Sequence, residues 1–321
     1  SFGQKSWQSW VLEDEEEIHN LLKGAYDRGV NTWDTANVYS NGASEAIIGR
    51  AIQKFNIPRR KLVLLTKIFG YVGEQPDIRQ ASFAKEMSQS KDYANQGGLS
   101  RTAIFNAVDG CLARLQTDYI DLLQIHRFDP AVTMEETMKA LHDLVQLGKV
   151  RYIGASSMWA YQFAQMQFTA ERNGWTKFIS MQNHYSLCYR EEEREMNRFC
   201  HETGVGLIAW APLYRGLLAR PLGAKATARQ GGVKGSLFSR ENTDVEEEII
   251  RRVQALSEAK GWTMSQVALA WVIQKGSIPT VGFSSMARLE EGSDVRGKEL
   301  TRKEINHLEE PYQPKAVVGH S

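Results

Sequence analysis

Short apolar runs, many of them β-branched, recur along the chain at Val30–Trp33, Leu62–Thr66, Tyr119–Ile125, Val150–Ala155, Phe178–Met181, Val205–Trp210 and Ile278–Gly282. Such runs predict strands buried on both faces, the signature of a parallel sheet. Between them the apolar positions shift to helical spacing. Ile18, Leu21, Leu22, Ala25 and Tyr26 form one set, Ile47, Ile48, Ala51, Ile52 and Phe55 a second, and Ile104, Ala107, Val108, Cys111, Leu112 and Leu115 a third. Each set predicts a helix with one buried face. The acidic run from Glu13 to Glu17 suits the positive end of the first helix dipole, and Ser100 is placed to cap the third. From Ile120 to Val205 the strands recur about every 30 residues, the length of a βαβ unit.

Strict alternation leaves two architectures, a closed barrel and an open doubly wound sheet. An open dinucleotide-binding sheet carries G-x-G-x-x-G after its first strand, and no such run exists here. The pattern therefore predicts an α/β fold, a (β/α)8 TIM barrel, as a single domain over residues 1–321. Seven runs leave one strand to be sought ahead of Ser1. Two stretches, Gly70–Gly98 and Leu213–Thr243, interrupt the regular units as insertions, and long insertions in compact domains are commonly functional.

Charge changes the picture by exclusion. With 39 Lys plus Arg against 38 Asp plus Glu, the net charge is +1, which argues against a nucleic-acid or anionic-membrane surface as the main partner. No apolar stretch approaches the roughly 20 residues of a membrane-spanning helix. Three cysteines without a C-x-x-C pair indicate neither a disulfide framework nor a zinc site. No secretory signal opens the chain, so a cytoplasmic location is expected.

In a (β/α)8 enzyme the reacting groups lie at the C-terminal ends of the strands. Asp34, Lys67, His126, Ser156 and Ser157, and Gln182 to His184 all follow directly on the predicted strands. Each alone has a plainer reading. Asp34 could cap a helix, Lys67 could snorkel at the surface, His126 could be a satisfied core histidine, and Tyr39 could plug a loop. The coincidence on one rim is what favours chemistry.

The segments WDTANVYSNGASEAIIGRAI, LVLLTK, YIDLLQIH, VRYIGASS, FISMQNHYSL, IAWAPLYRGLL and IPTVGFSSMARLEE, in this order, resemble the aldo-keto reductase superfamily over nearly the whole chain. WAPLYRGLL and GFSS point to the branch of the aryl-alcohol dehydrogenases and potassium-channel β subunits. The resemblance implies a catalytic tetrad of Asp34, Tyr39, Lys67 and His126, with Tyr39 as proton donor. It further implies NADPH as cofactor and a small-molecule carbonyl as substrate. The nicotinamide end would fall to Ser156, Ser157, Gln182 and Trp210, with Ser157 standing where many relatives carry Asn. The pyrophosphate would fall to Ala211, Pro212, Leu213, Arg215, Gly216 and Leu217. The adenosine end would fall to Gly282, Ser284, Arg288 and Glu291, with Gly292 in place of a common Asn. A guanidinium at Arg288 suits the extra phosphate of NADPH. Phe69, Tyr71, Phe128, Tyr214 and Phe238 suggest an aromatic or bulky substrate. Two alternatives remain at this stage: a weakly catalytic NADPH-binding regulatory subunit, and a Schiff-base aldolase using Lys67.

Overall fold

A computed structural model describes residues 2–225 and 243–320. Its strands are β1 (Thr32–Asp34), β2 (Val63–Ile68), β3 (Ile120–Ile125), β4 (Val150–Ser156), β5 (Ser180–His184), β6 (Gly206–Trp210) and β7 (Ser277–Thr280), following one another through the sheet in chain order. Helices intervene between successive strands, and the fold is an α/β fold of the (β/α)8 barrel class. By compactness the chain divides into two units, Ser1–Met181 with 320–321, and Gln182–Gly319.

In the first unit β1 to β4 pair in parallel, with Trp33 opposite Leu64, Lys67 opposite Gln124, and Gln124 opposite Gly154. Helices α1 (Glu15–Asp27), α2 (Ala43–Lys54), α4 (Arg101–Leu115) and α5 (Met134–Gln146) precede or separate these strands, and α6 (Ala160–Asn173) follows β4. The helical spacing explains their packing. Ile18, Leu21, Leu22 and Ala25 of α1 are buried, as are Ile104, Val108, Cys111 and Leu115 of α4. A large aliphatic side chain removed from water in this way contributes about 1.5–3 kcal/mol. The ends follow from capping. Asp14 accepts from the Glu17 N–H at 2.8 Å, and Ser100 from the Ala103 N–H at 3.3 Å, each satisfying a donor that has no intrahelical acceptor.

The second unit holds β6 and β7, paired in parallel with Trp210 opposite Thr280. Its helices are α7 (Met196–Thr203), α8 (Asp244–Lys260), α9 (Met264–Gln274), α10 (Met286–Ser293) and α11 (Arg302–Glu309). Its core gathers Ile249, Val253, Val267 and Trp271 around Leu300 and Leu308.

Several expected boundaries shift. Lys67 lies inside β2 rather than beyond it, and Gln182 to His184 lie inside β5. Both are polar positions at the C-terminal end of a strand whose ladder continues through them, which an apolar-run criterion cuts short. β1 starts at Thr32 and takes in Asp34, and β7 stops at Thr280. The stretch Gly70–Gly98 is not loop throughout, since it contains helix α3 (Gln80–Gln89). Most of Leu213–Thr243, including Phe238, lies outside the described residues.

Candidate active site

Chemistry in the first unit starts from a buried ion pair. Lys67 is almost fully removed from water, so its inward side chain must find partners or lose its proton. It donates to the carboxylate of Asp34, at the end of the neighbouring strand, and to the Thr35 carbonyl at 2.9 Å. The second Asp34 oxygen accepts from Gln124 Nε2 at 3.0 Å. Gln124 can reach it because residue 154 is glycine: a Cβ there would meet Gln124 Cγ at 3.3 Å and Ser180 Oγ at 2.4 Å. Gln124 is a residue that sequence reasoning missed. Its signal was a lone amide inside the apolar run of β3. Asp34 is no helix cap, because Gly42 occupies that position of α2, and Lys67 is no surface lysine.

The backbone after β1 carries Tyr39 to this pair. Thr35 N–H bonds the Leu65 carbonyl and Asn37 N–H the Lys67 carbonyl, at 2.9 and 3.0 Å, so residues 35–37 extend the ladder along β2. Asn37 Nδ2 then donates to the Gly70 carbonyl at 3.1 Å. Ser40 and Asn41 both adopt left-handed backbone, φ 48° and 49°, a conformation that costs non-glycine residues about 1–2 kcal/mol each. Asn41 Nδ2 offsets part of this by donating to the carbonyls of Gln75 and Ile78 at 2.7 and 2.8 Å. The tight turn leaves Tyr39 with its ring centroid 5.2 Å from Lys67 Nζ and 6.0 Å from the His126 ring, edge-on at 76°. Trp7, another residue that sequence reasoning missed, lies 6.4 Å from the same ring.

The electrostatics divide the roles. Burial opposes the charge on Lys67, but the negative charge of Asp34, followed by Tyr39, outweighs it and raises the lysine pKa above its usual value. Burial, with the charges of Lys67 and Arg127, drives His126 well below the ordinary histidine pKa. The cluster therefore holds a protonated lysine, a neutral imidazole and a phenol within reach of one another.

Comparison with known proteins settles the class. A profile of the aldo/keto reductase family matches residues 1–313. The chain belongs to the aldo/keto reductase family. It is 54% identical to an aldo-keto reductase of Alternaria alternata over 99% of this chain and 88% of that one. It is 46% identical to the versiconal hemiacetal acetate reductase of Aspergillus parasiticus over 98% and 92%. A Schizosaccharomyces pombe relative that carries aryl-alcohol dehydrogenase in its name is 46% identical over 99% of both chains. As an aldo/keto reductase, the protein is an oxidoreductase of carbonyl reduction, a reaction that draws hydride from a nicotinamide nucleotide.

The residues expected to hold that nucleotide fall mainly in the second unit. Trp210 ends β6, and its indole stacks on the His184 imidazole at 4.2 Å and 10°. His184 also stacks on Tyr189 at 4.1 Å, so the indole rests on a fixed column of rings. Gln182 is buried in β5. After β6 the backbone turns left-handed at Ala211, Tyr214, Arg215 and Gly216. Turns of this kind point successive N–H groups into one concavity and favour anions. Pro212, Leu213 and Leu217 lie in the same loop. Tyr214, expected near the substrate, is instead a core residue whose hydroxyl donates to buried Glu246 at 2.6 Å. Burial opposes the Glu246 charge, but Lys315, Tyr214 and the Thr243 N–H hold its pKa below the usual range.

Past β7, Gly282 leads to Ser284, whose hydroxyl accepts from Arg288 Nη1 at 2.9 Å. Ser285, not Ser284, caps α10, accepting from the Arg288 N–H. Glu291 lies on the same helix. A second guanidinium stands close by. Arg220 is pushed below the usual arginine pKa by burial and by the charge of Arg288. Arg220 is a third residue that sequence reasoning missed, and the basic charge ending GLLAR was its signal. In the first unit, Ser156 ends β4 and Ser157 follows in left-handed backbone, φ 45°, with the two hydroxyls 3.4 Å apart.

Proposed function

We propose that the protein reduces an aldehyde or ketone to the alcohol with NADPH, with Tyr39 as proton donor. The observation that carries this reading is Lys67, sealed inside β2, hydrogen-bonded to Asp34 and set beside the Tyr39 ring. A bound reduced nicotinamide supplies the hydride, which no side chain can. Charge then develops on the substrate oxygen, and the Tyr39 hydroxyl passes its proton there. A phenol of ordinary pKa near 10 gives up a proton reluctantly at neutral pH, and the Lys67 ammonium stabilises the phenolate that remains. Asp34 acts through Lys67 as a positioning residue, and Gln124 through Asp34. His126, kept neutral, donates its ring N–H to the substrate oxygen and orients the carbonyl.

The donor set of the second unit fits the nucleotide. Gln182 and Trp210 suit a nicotinamide, the first as an amide partner and the second as a flat platform already braced by His184. In the first unit, taken by itself, Ser156 and Ser157 present two hydroxyls 3.4 Å apart, groups of the kind that bond an amide. The left-handed loop over Ala211–Leu217 suits the pyrophosphate, and Glu291 an exocyclic amine. Two guanidinium groups, Arg220 with its pKa lowered by burial and by the charge of Arg288, are the chemistry of a phosphate site, and the 2′-phosphate distinguishes NADPH from NADH. Trp7 against Tyr39 supports an aromatic or bulky apolar substrate.

A Schiff-base aldolase is the weaker reading, because an attacking lysine must be unprotonated whereas Lys67 is held as the ammonium. The test is loss of near-ultraviolet absorbance from NADPH mixed with the protein and a panel of aromatic aldehydes. Turnover, slower with NADH, is expected. An NADPH-loaded protein that turns over none of the panel would make it a regulatory subunit.

A further inference from the structure

One charge next to His126 takes no part in the tetrad. Arg127 follows His126 past the end of β3 and is half-buried. A guanidinium carries five N–H donors. Nη1 of Arg127 donates to the His126 carbonyl at 2.5 Å, and among the described residues the other donors have no hydrogen-bond partner. Among the described residues no carboxylate pairs with it. Asp34 serves Lys67 and Gln124, and Asp129 accepts from the N–H groups of Leu99 and Ala131 at 2.7 and 3.0 Å. Burial pulls the arginine below its usual pKa, opposed in part by the negative charge that Tyr39 carries as a phenolate.

A guanidinium partly removed from water without an anion bears part of the cost of desolvation, and an anionic ligand would offset it. Its planar fork matches a carboxylate bidentately. We propose that Arg127 is a substrate-recognition residue, which selects carbonyl compounds bearing a carboxylate over their neutral counterparts. The inference rests on the reading of Tyr39 as proton donor and of His126 as the residue that orients the carbonyl, since Arg127 is bonded to the His126 carbonyl and the His126 ring lies 6.0 Å from the Tyr39 ring. Trp7, on the same tyrosine, favours an aryl group between the two functions.

The experiment compares 2-, 3- and 4-formylbenzoate with their methyl esters, using NADPH and the full chain. For at least one isomer the wild type is expected to prefer the acid in kcat/KM. Charge-assisted hydrogen bonds imply a preference of about 10- to 100-fold. In Arg127→Met that ratio should collapse toward one, mainly through the KM of the acid, and Arg127→Lys should restore part of it. Three results would overturn the proposal: no acid preference in the wild type, a preference that survives in Arg127→Met, or an equal loss on acid and ester. A higher Kd for NADPH in Arg127→Met, measured by Trp fluorescence, would assign the charge to the cofactor and overturn it too. Failure of the wild type to reduce even the esters is a separate outcome, which defeats the reductase reading itself.

Discussion

The cluster around Lys67 in the first unit and the residues of the second to which the proposal assigns the nucleotide are built in opposite ways. In the first, each charge is matched inside the fold: Lys67 with Asp34, Asp34 with Gln124, and the whole on three adjacent strands. In the second, the cations Arg220 and Arg288 stand near one another, and the backbone is wound left-handed at four positions of one loop. A group that must act the same way in every turnover is best held by partners that never leave. A group that must welcome a departing phosphate is best left short of a partner until the ligand brings one. On the proposed function, internal pairing goes with proton chemistry and unmatched charge with ligand recognition.

The sharpest way to break this contrast is Tyr39→Phe. It removes the proton donor and should lower kcat by about 10²- to 10⁴-fold, measured in single turnover, and a smaller loss would mean that the donor lies elsewhere. Next comes Lys67→Met, which strands the Asp34 carboxylate. Breaking a buried pair from one side costs about 3–5 kcal/mol, read as a lower urea midpoint. Because Asp34→Asn with Lys67→Met leaves no lone charge, the double variant should lose less than the sum of the two single losses.

Arg288→Ala tests the other region. It should weaken NADPH by about 10- to 100-fold while moving NADH far less, as followed by Trp quenching, and its urea midpoint should stay close to that of the wild type because no internal carboxylate is stranded. A large drop in that midpoint would show the cations to be structural. The smallest effect concerns pH. With His126 depressed well below 6.5 by burial and neighbouring cations, the folded ring stays neutral as pH falls through 6.5, whereas the unfolded ring gains its proton. Stability from this group is therefore complete above about pH 6.5 and declines below it. In kcat/KM for reduction no break should fall near 6.5. A break there that vanishes in His126→Gln would reverse the assignment.

How much of this was readable beforehand differs by residue. The rim positions Asp34, Lys67 and His126 could be picked out because an apolar run ending in a titratable group is rare. Gln124 could not, since a strand interior is where amides are least expected, and only the Gly154 gap beside it makes room. Trp7 carries no local signal, as it lies far along the chain from the turn it packs against. Arg220 was passed over, since its one signal is a basic charge ending GLLAR and its neighbour Arg288 comes from much later in the chain. Tyr214 was misplaced because nothing in WAPLYRGLL announces that Glu246, from later in the chain, claims its hydroxyl.

By itself the sequence determined what local chemistry and periodicity can determine: strands alternating with helices, the capped helix starts at Asp14 and Ser100, and a family-typical order of motifs. These depend on neighbours a few residues apart, so they are written in short stretches. Only the tertiary structure decided which charges are matched and which are left over, because a buried charge is stabilised or penalised by whatever lies within a few ångströms, and for Lys67, His126, Arg127 and Arg220 those neighbours come largely from other parts of the chain.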